Sequence, residues 1–127
     1  MKHFSLGLPA VFGSALLIST LWLTDQALAH AHLKSETPAA NSAVASPQEL
    51  TLKFSEGLEI KFTTLRLKGP DGKLVGVGTT TLIPNDNTTL VVPLTAPLKA
   101  GKYTVDWHAV STDSHKTQGT YSFTIKP

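Results

Sequence analysis

His30, Asp113 and His115 are the residues whose types and spacing could do chemistry in this chain, and that chemistry is metal chelation. Ala27-Leu28-Ala29 precedes His30 and closes an apolar segment with the small-x-small pattern of a signal-peptidase site. Cleavage after Ala29 makes His30 the first residue, whose free α-amine and ring Nδ1 can close a chelate ring on one ion. Asp113 and His115 stand two residues apart in the polar stretch Ser111-Thr112-Asp113-Ser114-His115-Lys116. In an extended segment residues i and i+2 point the same way, so this pair is expected to offer an oxygen and a nitrogen to one ion. The assembled set is an amine nitrogen, two imidazole nitrogens and a carboxylate oxygen. Sulfur is excluded, because the chain has no cysteine and its single methionine, Met1, leaves with the signal. Three nitrogens and one oxygen suit tetragonal Cu(II) and fit Cu(I) less well. Zinc or nickel could occupy the same ligands, but Cu(II) binds tightest of the three by the Irving–Williams order.

Blander readings stand beside this one. A single Asp-x-His in a loop is ordinarily solvated turn chemistry, and an exposed N-terminal histidine is weak evidence by itself. Their joint presence in a small exported domain is what raises the metal reading. His32 adds an alternative: a free His30-Ala31-His32 terminus can hold Cu(II) or Ni(II) through the amine, two deprotonated amides and the His32 ring. That mode requires residues 30–32 to leave any strand pairing. Ala29-His30-Ala31 is also small-x-small, so cleavage after Ala31 would make His32 the terminus. His108 reads as an ordinary polar-face residue and Trp107 as core.

The elements that must position these residues are strands. Leu50, Leu52 and Phe54 alternate with polar neighbours, as do Thr63, Leu65 and Leu67. So do Tyr103, Val105, Trp107 and Ala109, and again Tyr121, Phe123 and Ile125. Period-two alternation means one buried and one wet face. Leu90-Val91-Val92 is a further strand closed by Pro93, and His32 to Glu36 a first one followed by a loop over 37–42. Gly69-Pro70-Asp71-Gly72 reads as a hairpin turn, with further turns at Pro84-Asn85-Asp86-Asn87 and Lys99-Ala100-Gly101. Six to eight short strands with close turns predict an all-β fold, a sandwich or Greek-key barrel. No helix longer than a turn or two, no repeat and no second domain is expected.

Lys2 and the run from Ala10 to Leu23 fit a secretory signal over residues 1–29, the run being short for a membrane span of ~20 apolar residues. Removing 29 of the 127 residues leaves 98, one small domain spanning 30–127. Lys2 and Asp25 leave together, so the net charge of +2 is unchanged. No long basic run is present, which argues against nucleic acid. Without cysteine, an exported domain has no disulfides and depends on its apolar core.

Several segments carry a family resemblance in combination. They are His-Ala-His-Leu-Lys-Ser at 30–35, Thr-Pro-Ala-Ala-Asn-Ser at 37–42 and Leu-Lys-Phe-Ser-Glu-Gly at 52–57. They continue with Pro-Leu-Lys-Ala-Gly-Lys-Tyr at 97–103, Val-Asp-Trp-His-Ala-Val-Ser at 105–111 and Asp-Ser-His-Lys-Thr-Gln-Gly at 113–119. Across essentially the whole mature chain this resembles the CopC family of periplasmic copper-binding proteins. The resemblance implies a Greek-key β-barrel or sandwich of cupredoxin- or immunoglobulin-like type. It implies a Cu(II) site on His30, Asp113 and His115, with Glu56 either an outer-shell group or a solvent-facing carboxylate. Some relatives carry a methionine-rich segment for Cu(I). Here the corresponding stretch, Asp71 to Thr89, contains no Met, Cys or His, so a single Cu(II) per chain is expected.

The function expected is copper sequestration or delivery in the periplasm, in copper homeostasis or resistance, without catalysis. The expected partners are copper and an inner-membrane copper transport protein, and the expected state is a monomer. The rival is a copper oxidase or monooxygenase, since an N-terminal histidine with a second histidine is also the histidine brace of lytic polysaccharide monooxygenases. An anionic Asp113 ligand argues against it by stabilising Cu(II). A metal-free adhesion or interaction domain is the third reading.

Overall fold

Alternation along the longer strands settles which of their faces is dry. The structure, a computed structural model, describes residues 31–127. Nine strands follow in order: β1 Leu33–Thr37, β2 Ala43–Val44, β3 Glu49–Phe54, β4 Thr64–Lys68, β5 Leu74–Val75, β6 Thr81–Ile83, β7 Asp86–Pro93, β8 Gly101–Val110 and β9 Lys116–Ile125. The helical element among the described residues is one 3-10 turn, Ile60–Phe62. The strands form a four-stranded sheet, β1-β3-β7-β6, and a five-stranded sheet, β2-β9-β8-β4-β5. Between its neighbours β3 and β7 the chain visits the other sheet, which is the crossover habit of Greek-key sandwiches.

The barrel half of the sequence expectation gives way to the sandwich. No ladder joins the two sheets among the described residues; they meet through isolated bridges, Leu58 with Ser111 and Val77 with Leu94. The physical reason lies at the edges, where β2 and β5 are two residues each and too short to carry pairing across a seam. These strands and the three-residue β6 also explain why nine are found against six to eight expected, since two or three residues show no period. The first strand starts one residue later than expected. Thr63 is buried at the entry to β4.

The inward residues are those the alternation selects. Leu50, Leu52 and Phe54 of β3 and Leu90 and Val92 of β7 pack against Leu65, Leu67, Val105, Trp107, Phe123 and Ile125 of the other sheet. Burying each large apolar side chain is worth about 1.5–3 kcal/mol relative to leaving it in water. Phe54 meets Trp107 edge-on, with ring centroids 5.0 Å apart, tying the two layers together. Gly119 makes room for that indole, because a Cβ there would stand 2.5 Å from Trp107 Cζ2.

Turn chemistry is as expected. In the β4–β5 hairpin the Gly72 N–H donates to the Gly69 carbonyl at 2.9 Å, with Gly72 at φ +81. Pro84 and Asn85, the latter at φ +65, join β6 to β7. The longest ladder pairs β8 with β9 from Gly101–Ile125 to Val110–Lys116. Its tip is the five-residue turn 111–115, so the most firmly paired element of the fold carries Asp113 and His115.

Candidate metal centre

Ser111 closes the tip on itself. Its N–H donates to the His115 carbonyl at 2.9 Å, and its carbonyl accepts from the Ser114 N–H at 2.8 Å. Ser114 sits at φ +74. The expectation that Asp113 and His115 share a face through extended backbone is therefore corrected: the segment turns, and the turn brings them together. Asp113 Oδ2 lies 3.0 Å from His115 Nδ1. Asp113 Oδ1 accepts from the Ser111 hydroxyl.

The Ser111 hydroxyl is the main cause holding the Asp113 carboxyl below its usual range; the His115 ring and backbone N–H add to it, and partial desolvation opposes it. Asp113 is thus an anion wherever the fold persists near neutrality. Both side chains are about half exposed, 54% and 47%, so the pair is open to an incoming ion.

The spacing fits a metal. Two ligand atoms held at about 2.0 Å and 90° on one first-row ion stand about 2.8 Å apart, close to the observed 3.0 Å. An ion could replace the proton between Nδ1 and Oδ2. Alternatively, the Nδ1–carboxylate pair could fix the tautomer and present Nε2, the arrangement common around metal-bound histidine. Among the described residues no three His, Cys, Asp or Glu side chains converge on a common point. Asp113 and His115 are a pair, and a fuller ligand set needs donors from elsewhere.

His30 and the junction before it lie outside the described residues. Ala31 is buried, and its carbonyl accepts from Thr117 Oγ1 at 2.9 Å. The His32 N–H donates to Ser55 Oγ at 2.8 Å, and the His32 carbonyl accepts from the Ser55 N–H at 2.8 Å. Residues 31–32 are therefore clamped between β9 and the end of β3, two positions along from His115. The His32 ring is exposed, but its amide is engaged, so the three-residue chelate through deprotonated amides requires this clamp to open.

Glu56 is exposed on the segment beside the tip, where the Gly57 carbonyl accepts from the Thr112 N–H at 2.9 Å. His108 is exposed on the wet face of β8 and Trp107 is core, as the alternation predicts. Sequence reasoning passed over Ser111 and Thr117. A serine two residues before Asp113 is a faint signal for the first. Nothing local marks the second, because its partner is 86 residues away.

A two-sheet sandwich with a carboxylate–imidazole pair on a hairpin tip, and an early segment clamped beside it, is the class these observations define. Residues 33–126 match the CopC domain, and the chain belongs to that family. It is 44% identical over 111 residues to Protein YobA of Escherichia coli strain K12, covering 87% of this chain and 90% of that one. It is 42% identical to Copper resistance protein C of Escherichia coli, covering 79% and 84%. The crystal structure of PcoC, described as a methionine rich copper resistance protein from Escherichia coli, superposes with a TM-score of 0.68 at 39% identity, over 76% of this chain and 99% of that one.

Proposed function

We propose that this chain is exported to the periplasm, where it binds one Cu(II) and sequesters or delivers it in copper homeostasis or resistance. The ligands are the His30 amine and ring, Asp113 and His115. The observation that carries the reading is the clamp on Ala31 by Thr117, which tethers the residue following His30 beside the turn that pairs Asp113 with His115. An anionic carboxylate among nitrogen ligands favours Cu(II). The relative PcoC is described as methionine rich. This chain has Met1 alone, which the signal would remove, so a soft Cu(I) site has no sulfur to build it.

The chain's own residues account for capture. Asp113 supplies negative charge to an arriving cation, and Ser111 orients it. His115 gives up a proton-bearing contact for a metal-bearing one. Because ligands must shed protons, affinity falls as pH falls. The chemistry is binding without turnover. The membrane transport partner is the counterpart that delivery requires.

The test is a Cu(II) competition titration on correctly processed protein, with mass spectrometry to confirm His30 as the first residue. One equivalent should bind tightly, and His115→Ala should lower affinity at least 100-fold, with the thermal midpoint little changed because the side chain is half exposed. A form with extra residues before His30 should also bind far more weakly. Equal affinity for H115A and wild type would remove the tip from the site. Equal affinity for extended and processed forms would remove the terminus.

A further inference from the structure

The turn 111–115 contains one side chain that its neighbours do not resemble. Residues 112–115 are all exposed, whereas Ser111 is 1% exposed. A buried hydroxyl must be hydrogen-bonded to be tolerated, and here its bonding converges on the carboxylate. The His115 N–H approaches Ser111 Oγ at 3.3 Å as donor, occupying the acceptor side of the hydroxyl. Its single proton has two acceptors in reach, Asp113 Oδ1 and the His115 carbonyl at 3.3 Å. The carboxylate contact is the shorter and is charge-assisted, so it holds the proton.

We propose that Ser111 is a positioning residue of the copper site that acts through Asp113. This rests on the reading of Asp113 and His115 as copper ligands. An exposed aspartate otherwise rotates freely and can present either oxygen, or both, to an ion. With Oδ1 held by Ser111, Oδ2 is the oxygen that faces His115, and the carboxylate is a one-oxygen ligand set before the metal arrives. Ser111 itself touches no metal. Its backbone N–H and carbonyl close the same turn, so the hydroxyl is anchored on a rigid part of the hairpin rather than on a mobile side chain.

The experiment uses the processed full domain with Cu(II) alone as probe, reading affinity by chelator competition and ligand geometry by electron paramagnetic resonance. Ser111→Ala should lower affinity about 10–100-fold, the usual effect of losing an outer-shell partner, and change the parallel g and hyperfine values. Ser111→Thr, which keeps the hydroxyl, should restore both. On an Asp113→Ala background, S111A should have no further effect. Wild-type affinity and spectrum in S111A would overturn the proposal, as would losses in S111A and D113A that simply multiply. If S111A does not fold, Ser111→Gly removes the same hydroxyl and carries the same comparison. Wild-type behaviour in D113A and H115A would instead overturn the ligand assignment beneath the proposal, and the proposal with it.

Discussion

Two aspartates show how short-range hydrogen bonding sets charge at the scale of single residues. Asp113 is held low by Ser111 in the tip. Asp86, in the β6–β7 hairpin, accepts from the Thr88 hydroxyl at 2.5 Å, the Thr88 N–H at 3.0 Å and the Thr89 hydroxyl at 2.8 Å. These bonds, the Thr88 hydroxyl foremost, lower its pKa from 3.8 to about 2. A carboxyl depressed in the folded state stabilises the fold fully above its unfolded value, and that stability fades as pH falls through the folded value. The window is therefore about pH 4 down to about 2. Asp86→Asn should be less stable than wild type at neutral pH and lose less stability across that window. Urea denaturation followed from pH 7 to pH 2 checks this, and parallel acid limbs for the two proteins would count against it.

At the scale of elements, the β8–β9 hairpin and the clamp on residues 31–32 do separate jobs. The hairpin holds Asp113 and His115 together; the clamp fixes Ala31 and His32 beside β9 and the end of β3. Removing the clamp's hydroxyl leaves the hairpin untouched, so Thr117→Val separates the two. Losing one neutral hydrogen bond costs about 1 kcal/mol, or about fivefold in an equilibrium. Processed T117V should bind Cu(II) about fivefold more weakly than processed wild type. In forms extended before His30, where the terminus takes no part, the same substitution should change nothing. Competition titrations on the four proteins provide the measurement, and an equal loss in both backgrounds would show that Thr117 serves the hairpin rather than the terminus.

The whole molecule has neither cysteine nor, among the described residues, any helix beyond a single turn, so the sandwich core bears its stability. The Phe54–Trp107–Gly119 contact is where the two layers and the hairpin meet. Gly119→Ala drives a methyl into the indole, and overpacking of this kind costs about 1–3 kcal/mol. For a domain of this size each kcal/mol lowers the melting temperature by roughly 4–8 °C. Calorimetry on G119A should show that drop. Saturating Cu(II) should recover part of it, because a ligand bound only by the folded state stabilises by mass action. An unchanged melting temperature would mean that the indole has room to shift.

Local order was legible in the sequence and long-range order was not. Alternation in Leu50–Phe54, Tyr103–Ala109 and Tyr121–Ile125 told the buried face from the wet one, because side chains point to alternate faces every residue and water sorts them. The turn at Gly69–Gly72 was legible because left-handed backbone favours glycine. Residue types alone set the donor menu: nitrogen and oxygen, with no cysteine and Met1 the single methionine. Three matters needed the tertiary structure. The sheets stay open because β2 and β5 are too short to close a barrel, and a two-residue pairing leaves no period to read. Asp113 and His115 meet through a turn at Ser114 rather than through the pleat. Ala31 finds Thr117 across 86 residues because the segment before β1 runs beside the start of β9, where the Thr117 hydroxyl donates to the Ala31 carbonyl. Contacts of that range depend on how whole strands dock, a free energy shared over the core, and no short stretch of sequence contains it.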